Sequence, residues 1–185
     1  MTRIGYMSIS VFRTANKLDA EAIARLVNQA YQPKADAAGW THEADLVDGG
    51  RTSVRQVAEI IAAPDSLMLV GLKGLEVVAC VHVEREGKHC HIGMFAVNPA
   101  LQGAGVGKQL LAYAEEQASL VFGAQKLVMF VLAARTELIA YYLRRGYQKT
   151  GVALDYTQLA DAGKPKLAGL KVEVLEKQLN NNITR

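Results

Sequence analysis

Two very short connections between apolar segments in the middle of the chain constrain the fold most strongly. The segments 67–72, 77–84 and 89–97 are each separated by only four residues, and the two connections contain Gly74 and Gly87. Parallel neighbours need crossovers of a dozen or more residues, whereas antiparallel neighbours need only a tight turn. The sequence therefore predicts three antiparallel strands in succession.

Helices and further strands flank this meander. Apolar spacing by three and four predicts helices over 19–31, 53–63, 106–122 and 136–146, and shorter apolar runs predict strands over 8–14, 126–132, 147–154 and 170–179. Asp19 and Thr136 are the expected helix caps, and Ser53 with Gln56 has capping-box spacing. The stretches 32–50 and 155–169 are expected to be irregular. The pattern indicates one α/β (α+β) domain over 1–185, with a mixed, mostly antiparallel sheet flanked by helices.

Composition narrows the classes of function. The chain has 185 residues and a formal charge of +3, without a basic run that would suit nucleic acid. Its N-terminus is a poor signal peptide, and no apolar run is long enough to span a bilayer. Cys80 and Cys90 are expected to be reduced thiols. We therefore expect a cytoplasmic protein that binds neither nucleic acid nor membrane.

A glycine-rich turn follows the third strand of the meander. Residues 102–108 read Gln-Gly-Ala-Gly-Val-Gly-Lys and open the helix 106–122. Glycines allow close backbone approach, and a helix N-terminus offers unpaired N–H groups to an anion. The P-loop pattern fails because Gln102 and Gln109 occupy its first glycine and Ser/Thr positions. The dinucleotide pattern G-x-G-x-x-G fails in spacing, so a different phosphate-bearing ligand or a purely structural turn remains.

Two segments resemble the motifs of the GNAT acyltransferase superfamily. The turn 102–107 resembles its Q/R-x-x-G-x-G/A cofactor motif, and 136–147 resembles its downstream helix with an aromatic-Tyr pair and a closing Gly-aromatic. The order of elements agrees over nearly the whole chain. One departure is Arg135, where the family often has Asn.

The resemblance implies acetyl-CoA as cosubstrate, held where the strand before the glycine turn diverges from the next strand. A backbone N–H near Phe95 would then polarise the thioester carbonyl. The expected cofactor contacts are Phe95, Ala96, Val97, Gln102, Gly103, Ala104, Gly105, Val106, Gly107, Lys108, Arg135 and Leu138.

Two residues are candidates for proton transfer. By the family pattern, Tyr142 would donate a proton to the departing CoA thiolate, while Tyr141 and Tyr147 are expected to pack. His91 occupies the position where related enzymes often carry a glutamate base. Period-two alternation predicts that His89, His91, Gly93, Phe95 and Val97 share one face of their strand.

No metal site is predicted. The run His89-Cys90-His91, with His82 on the neighbouring strand, suggests one, but alternation points Cys90 away from the histidines. Cysteine and histidine spacings typical of zinc fingers are also missing from the sequence.

The acceptor is expected to lie near the stretch 32–50. Trp40, His42, Glu43, Asp45 and Asp48 would suit a cationic amine, whereas Arg51 and Arg55 would suit a carboxylate. The favoured function is N-acetylation of a small-molecule primary amine by direct attack. A protein acetyltransferase for lysines or N-termini and a non-catalytic acetyl-CoA sensor are the alternatives. A homodimer would also be consistent with the resemblance.

Overall fold

The computed structural model describes residues 11–32, 43–159 and 164–179. Four helices lie in this part of the chain: α1 (Ala20–Tyr31), α2 (Val54–Ala62), α3 (Val106–Phe122) and α4 (Thr136–Leu143). The strands are β1 (Val11–Thr14), β2 (Val47–Asp48), β3 (Ser66–Lys73), β4 (Glu76–Glu86), β5 (His89–Val97), β6 (Lys126–Leu132), β7 (Gln148–Asp155), β8 (Lys164–Pro165) and β9 (Lys171–Gln178). None of the helices in these residues is long and apolar enough to cross a membrane.

Seven strands form the central sheet, in the order β1-β3-β4-β5-β6-β9-β7. The predicted meander β3-β4-β5 is confirmed as antiparallel, with turns at Gly74 and Gly87. Among the strand pairs of the described residues, only β5–β6 is parallel, because α3 provides the long crossover between these strands. The mixed, mostly antiparallel sheet predicted from the sequence is therefore confirmed.

Helices cover both faces of the sheet. On one face, α3 and α4 bury apolar side chains that include Leu110, Leu111 and Ile139. On the other face, α1 and α2 contribute Ile23, Val27 and Val57 to a second core. Each helix places its apolar stripe on the sheet, so burial on both faces stabilises the three layers.

Helix starts and the two irregular stretches differ in detail from the prediction. Thr136 is the first residue of α4 rather than its cap, and Arg135 is the N-cap residue without a capping side-chain bond. Asp19 is the N-cap residue of α1 as predicted but makes no side-chain capping bond, and Asn16 caps the short 3-10 turn that leads into α1. The predicted capping box of Ser53 and Gln56 is confirmed. The two stretches expected to be irregular contribute β2 and β8, which pair with each other.

A bulge in β5 overturns the predicted alternation of its side chains. The β4–β5 register shifts between Cys80 and His82, and Met94 on the opposing strand has a left-handed φ of 48°. An extra residue in a strand turns every following side chain to the opposite face of the sheet. Phe95 and Val97 consequently pack toward α3, together with buried Cys90 and Ile92, and no longer share the face of His91. Met94 and Ala96 pack toward α1 and α2.

Candidate active site

Strands β5 and β6 separate after three paired residues. Their parallel pairing runs only from His89 opposite Lys126 to His91 opposite Val128. Beyond His91, β5 continues to Val97 with β4 as its partner, while β6 continues with β9. The last part of β5 therefore presents a backbone edge to a gap in the middle of the sheet.

The N-terminus of α3 lies beside this gap. Its N-cap Gly105 has φ 82° and Gly103 has φ 87°, both in the region that favours glycine. The N-cap residue Gly105 has no side chain to cap α3, so the first N–H groups of the helix can bind an anion, with the positively charged Lys108 in its first turn. Gly107 has a packing role instead, since a Cβ there would lie 3.0 Å from the Tyr141 hydroxyl.

A cleft of about 290 Å³ joins the gap to the helix end. Ten of the predicted site residues line it: Phe95, Val97, Gln102, Gly103, Gly105, Gly107, Lys108, Arg135, Leu138 and Tyr142. Ala96, Ala104, Val106 and His91 do not. Tyr31, Tyr141 and Arg145 complete the lining and were not predicted. Tyr141 and Arg145 belong to the downstream motif, so the motif could have indicated that they line the cleft. The sequence of α1 contains no local sign that Tyr31 reaches the gap.

Tyr142 is held among aromatic rings in the cleft wall. Its ring lies 6.4 Å from that of Phe95, 5.4 Å from Tyr141 and 5.8 Å from Tyr147. Burial raises the pKa of Tyr142 far above its usual range, so the phenol is neutral at physiological pH. The Tyr147 hydroxyl donates a hydrogen bond to Glu115 at 3.0 Å and does not line the cleft. Tyr141 does line the cleft, with the Arg145 guanidinium over its ring.

An ion pair closes the inner end of the cleft. Arg135 donates to Glu43 at 2.8 Å, and both side chains are less than 10% exposed, at 9% and 6%. Tyr31 donates from its hydroxyl to the Phe95 carbonyl at 3.0 Å, and the Arg135 and Arg51 guanidinium groups lie 5.9 and 5.3 Å from the centre of its ring. Burial, reinforced by the Glu43 charge, raises the pKa of Tyr31 to about 12. Arg135, the residue that departs from the family pattern, therefore pairs with a carboxylate 92 residues earlier in the chain.

A second cavity of about 410 Å³ opens on the α1–α2 side of the sheet. Arg51, His82, Met94 and Tyr156 are among its lining residues. Arg51 also packs over Tyr31, which lines the first cleft, so the two spaces adjoin through this pair.

The predicted acceptor residues divide among several environments. Glu43 is buried in its ion pairs, and Asp48 pairs with Lys166 at 3.2 Å. Arg55 pairs on the surface with Glu59, while Arg51 lines the second cavity. Trp40 and His42 lie outside the described residues.

His91 and His82 occupy different positions relative to these spaces. His91 lies in a third cavity of about 530 Å³, where it stacks on Phe130 and contacts Glu86 at 2.5 Å. His82 lines both the second and the third cavity and shares a 2.6 Å hydrogen bond with Ser66. Burial lowers the pKa of His82, against a smaller opposing effect of Glu84.

The match to a family model decides what kind of protein has this geometry. The model described as the Acetyltransferase (GNAT) family matches residues 22–147, about two thirds of the chain. This protein belongs to the GNAT acetyltransferase family. The family resemblance seen in the glycine turn and the downstream helix is thereby confirmed.

Solved structures support the GNAT fold at low sequence identity. The PaiA N-acetyltransferase from Thermoplasma acidophilum, solved with coenzyme A, is 13% identical with a TM-score of 0.71, covering 91% of this chain and 98% of its own. A ribosomal-protein-alanine N-acetyltransferase from Brucella melitensis is 20% identical with a TM-score of 0.69, covering 92% and 100%. A chimeric spermidine N-acetyltransferase from Vibrio cholerae is 14% identical with a TM-score of 0.66, covering 91% and 94%.

Among curated proteins, the uncharacterized protein YdhI of Bacillus subtilis (strain 168) is 27% identical over 92 residues. That match covers 50% of this chain and 56% of YdhI, so the chain spans about half the length of its curated relative.

Proposed function

We propose that this GNAT protein transfers an acetyl group from acetyl-CoA to the primary amine of a small molecule. The observation that carries the proposal is the cleft between the separated end of β5 and helix α4, which runs to the N-terminus of α3. Open helix N–H groups beside Lys108 suit a pyrophosphate. The exposed backbone edge of β5 suits the amide groups of a pantetheine arm, which would pair with it as a strand does.

The predicted cofactor contacts divide into two kinds under this proposal. Phe95, Val97 and Leu138 line the cleft and would contact the ligand with their side chains. Ala96, Ala104 and Val106 do not line it, so they would contribute backbone groups only. Arg135 would act indirectly, because its guanidinium is already bound to Glu43 at the inner end of the cleft.

The proposed reaction is a direct attack. A new N–C bond forms between the amine and the acetyl carbon as the C–S bond to CoA breaks. Backbone N–H groups near Phe95 would stabilise the negative charge on the carbonyl oxygen. Tyr142, neutral and in the cleft wall, would give its proton to the departing thiolate and recover one from solvent.

The proton that leaves the amine needs an acceptor on the side of the reacting carbonyl opposite Tyr142. His91 remains the candidate base from the sequence, but it lies in the third cavity and not in the cleft. His82 adjoins both the second and the third cavity. We therefore propose that a proton from an amine in the second cavity reaches His82 directly, and reaches His91 only through water or His82.

The proposed acceptor class rests on the second cavity. Its volume of about 410 Å³ falls within the range typical of small-molecule sites, about 300–1,000 Å³. The solved relatives include both a spermidine and a ribosomal-protein acetyltransferase, so acetylation of a protein is the alternative that the acceptor screen must address.

Thermal unfolding with acetyl-CoA, CoA, ATP and NAD, each added separately, tests the cofactor. A ligand at a hundred times its dissociation constant stabilises the native state by about 2.7 kcal/mol. For a chain of this length we expect a rise in Tm of about 5–10 °C with acetyl-CoA and CoA only. No rise with either, or an equal rise with ATP, would contradict the proposed cleft ligand.

An acceptor screen separates the three classes of function. Release of free CoA thiol is measured with small amines, with lysine-containing peptides and with peptides bearing a free N-terminus. Turnover with small amines alone supports the proposal, whereas turnover with peptides alone supports a protein acetyltransferase. A Tm rise without any turnover would favour the non-catalytic sensor.

A further inference from the structure

A cluster of three metal-binding side chains lies at the β4–β5 hairpin, outside the cleft. Glu86 ends β4, and His89 and His91 lie on β5 beyond the Gly87-Lys88 turn. One ligand atom from each of the three residues lies within 4.8 Å of the other two. No metal site was predicted here because alternation points Cys90 away from the histidines, and Cys90 is indeed buried. That prediction did not consider Glu86, the carboxylate opposite the histidines.

The register of the hairpin explains why the three side chains meet. Glu86 is the direct cross-strand partner of His89, and His91 follows two residues later on the same face of β5. Directly opposed side chains have Cβ atoms about 5 Å apart, and diagonal neighbours about 7–8 Å. Long side chains at such positions can therefore converge on one point above the sheet.

The orientation of the rings favours one set of ligand atoms. Glu86 Oε2 lies 2.5 Å from His91 Nε2 and 3.3 Å from His89 Nε2, so one oxygen meets both imidazoles. The Nδ1 of His91 is buried, which leaves Nε2 as the nitrogen that faces Glu86. Phe130 stacks on the His91 ring at 5.3 Å and restricts its rotation.

Two neighbouring positive charges are already paired, and a third, Lys88, is exposed in the turn. Arg85 is bonded to Asp65, and Lys126 pairs with Glu176 at 3.1 Å. Glu84 lines the adjacent cavity with Glu86 and adds negative charge on the same side of the hairpin. The two carboxylates Glu84 and Glu86 therefore favour a bound cation, against the charge of Lys88.

We propose that Glu86, His89 and His91 bind one divalent transition-metal ion of the Zn²⁺ type. Two imidazole nitrogens and one carboxylate oxygen are ligands that such ions prefer. Three protein ligands leave a coordination position that faces the third cavity, where water or a small ligand completes the site. The site is separate from the acetyl-CoA cleft and does not depend on acetyl transfer. Because the metal would take Nε2 of His91 and its Nδ1 is buried, the metal-bound protein would leave His82 as the acceptor of the amine proton.

Cobalt and zinc titrations of tag-free protein test the site. Co²⁺ is added while visible absorption is recorded, and Zn²⁺ binding is measured by calorimetry. We expect a single equivalent of each ion to bind, with visible bands typical of Co²⁺ held by nitrogen and oxygen ligands. Loss of a ligand in H89A or E86Q should weaken binding by more than about tenfold, since even outer-shell changes cost roughly 10–100-fold.

The matched control is H82Q, which removes a histidine from the same cavity without touching the cluster. It should bind both ions as the wild type does. Circular dichroism and Tm of each variant check that the hairpin still folds. Absence of stoichiometric binding in the wild type, or binding that survives H89A and E86Q but is lost in H82Q, would overturn the proposal.

Discussion

At the residue scale, Tyr142 lies in the cleft wall and keeps its phenol protonated at neutral pH. Aromatic rings surround it on three sides, and its pKa lies far above the usual range because it is buried. A neutral phenol can donate to a thiolate, whereas a phenolate cannot. Its neighbour Tyr147 has the same chemistry, but its hydroxyl is bound to Glu115.

Replacing Tyr142 with Phe removes the proposed proton donor and leaves the ring. We expect kcat to fall by about 10²–10⁴-fold, the usual contribution of a general acid, while the Kd for CoA changes little. Steady-state kinetics and a CoA titration measure the two quantities. Y147F is the matched control, with kcat close to the wild type, and wild-type kcat in Y142F would remove Tyr142 from the mechanism.

The pH–rate profile distinguishes His82 from His91 as the group that takes the amine proton. A base acts in its neutral form, so kcat/KM should rise with pH through the base's pKa and then level off. Burial lowers the pKa of His82, so a limb due to His82 should lie below the ordinary histidine value of about 6.5.

Under the proposed route, H82Q should remove that acid limb and lower kcat/KM, and H91Q should have a smaller effect. Profiles of both variants and the wild type are compared over the same pH range. If H91Q alone removes the limb, His82 is not the first proton acceptor, and His91 accepts the proton through water.

At the scale of the elements, the uncapped start of α3 and the gap beside β5 make the cleft together. The glycine turn lets the chain leave β5 and enter α3 with its N–H groups exposed. The bulge at Met94 turns Phe95 and Val97 toward that same side. Without the bulge, these two side chains would lie on the face covered by α1 and α2.

Gly105→Ala tests the turn against a matched glycine elsewhere. Gly105 and Gly74 both have positive φ, at 82° and 62°, and a Cβ at either position would meet nothing within 4 Å. An alanine in the left-handed region costs about 1–2 kcal/mol, so both variants should lose similar stability in urea unfolding. Only G105A should also weaken CoA binding, because only Gly105 lies at the N-terminus of α3, where backbone strain would move the helix N–H groups. Equal CoA affinity in both variants would contradict the assignment of the anion site.

At the scale of the whole molecule, the cleft depends on contacts between distant parts of the chain. Tyr31 of α1 reaches Phe95 of β5, and Arg135 before α4 reaches Glu43 ahead of β2. Removing one partner of a buried ion pair leaves an uncompensated charge, typically at a cost of about 3–5 kcal/mol. The second cavity lies on the same side of the sheet as Arg51 and Tyr31, so these contacts also set how the two spaces adjoin.

The elements themselves could be predicted because their signals are local. Four-residue connections allow only antiparallel pairing, apolar spacing marks the helices, and glycines beside a helix start predict where an anion would bind. The sequence by itself therefore determined the meander, the order of the elements other than the short strands β2 and β8, the glycine turn before α3 and most of the cleft lining.

Only the tertiary structure decided which way the side chains point and which distant groups meet. The bulge at Met94 depends on packing across β4 and β5 and reverses a simple period-two count. Arg135 and Glu43 are far apart in sequence, and Glu86 meets His89 and His91 through the hairpin register. Local propensity acts over a few residues, whereas bulges, buried ion pairs and cross-strand clusters depend on how whole elements pack, so no short pattern encodes them.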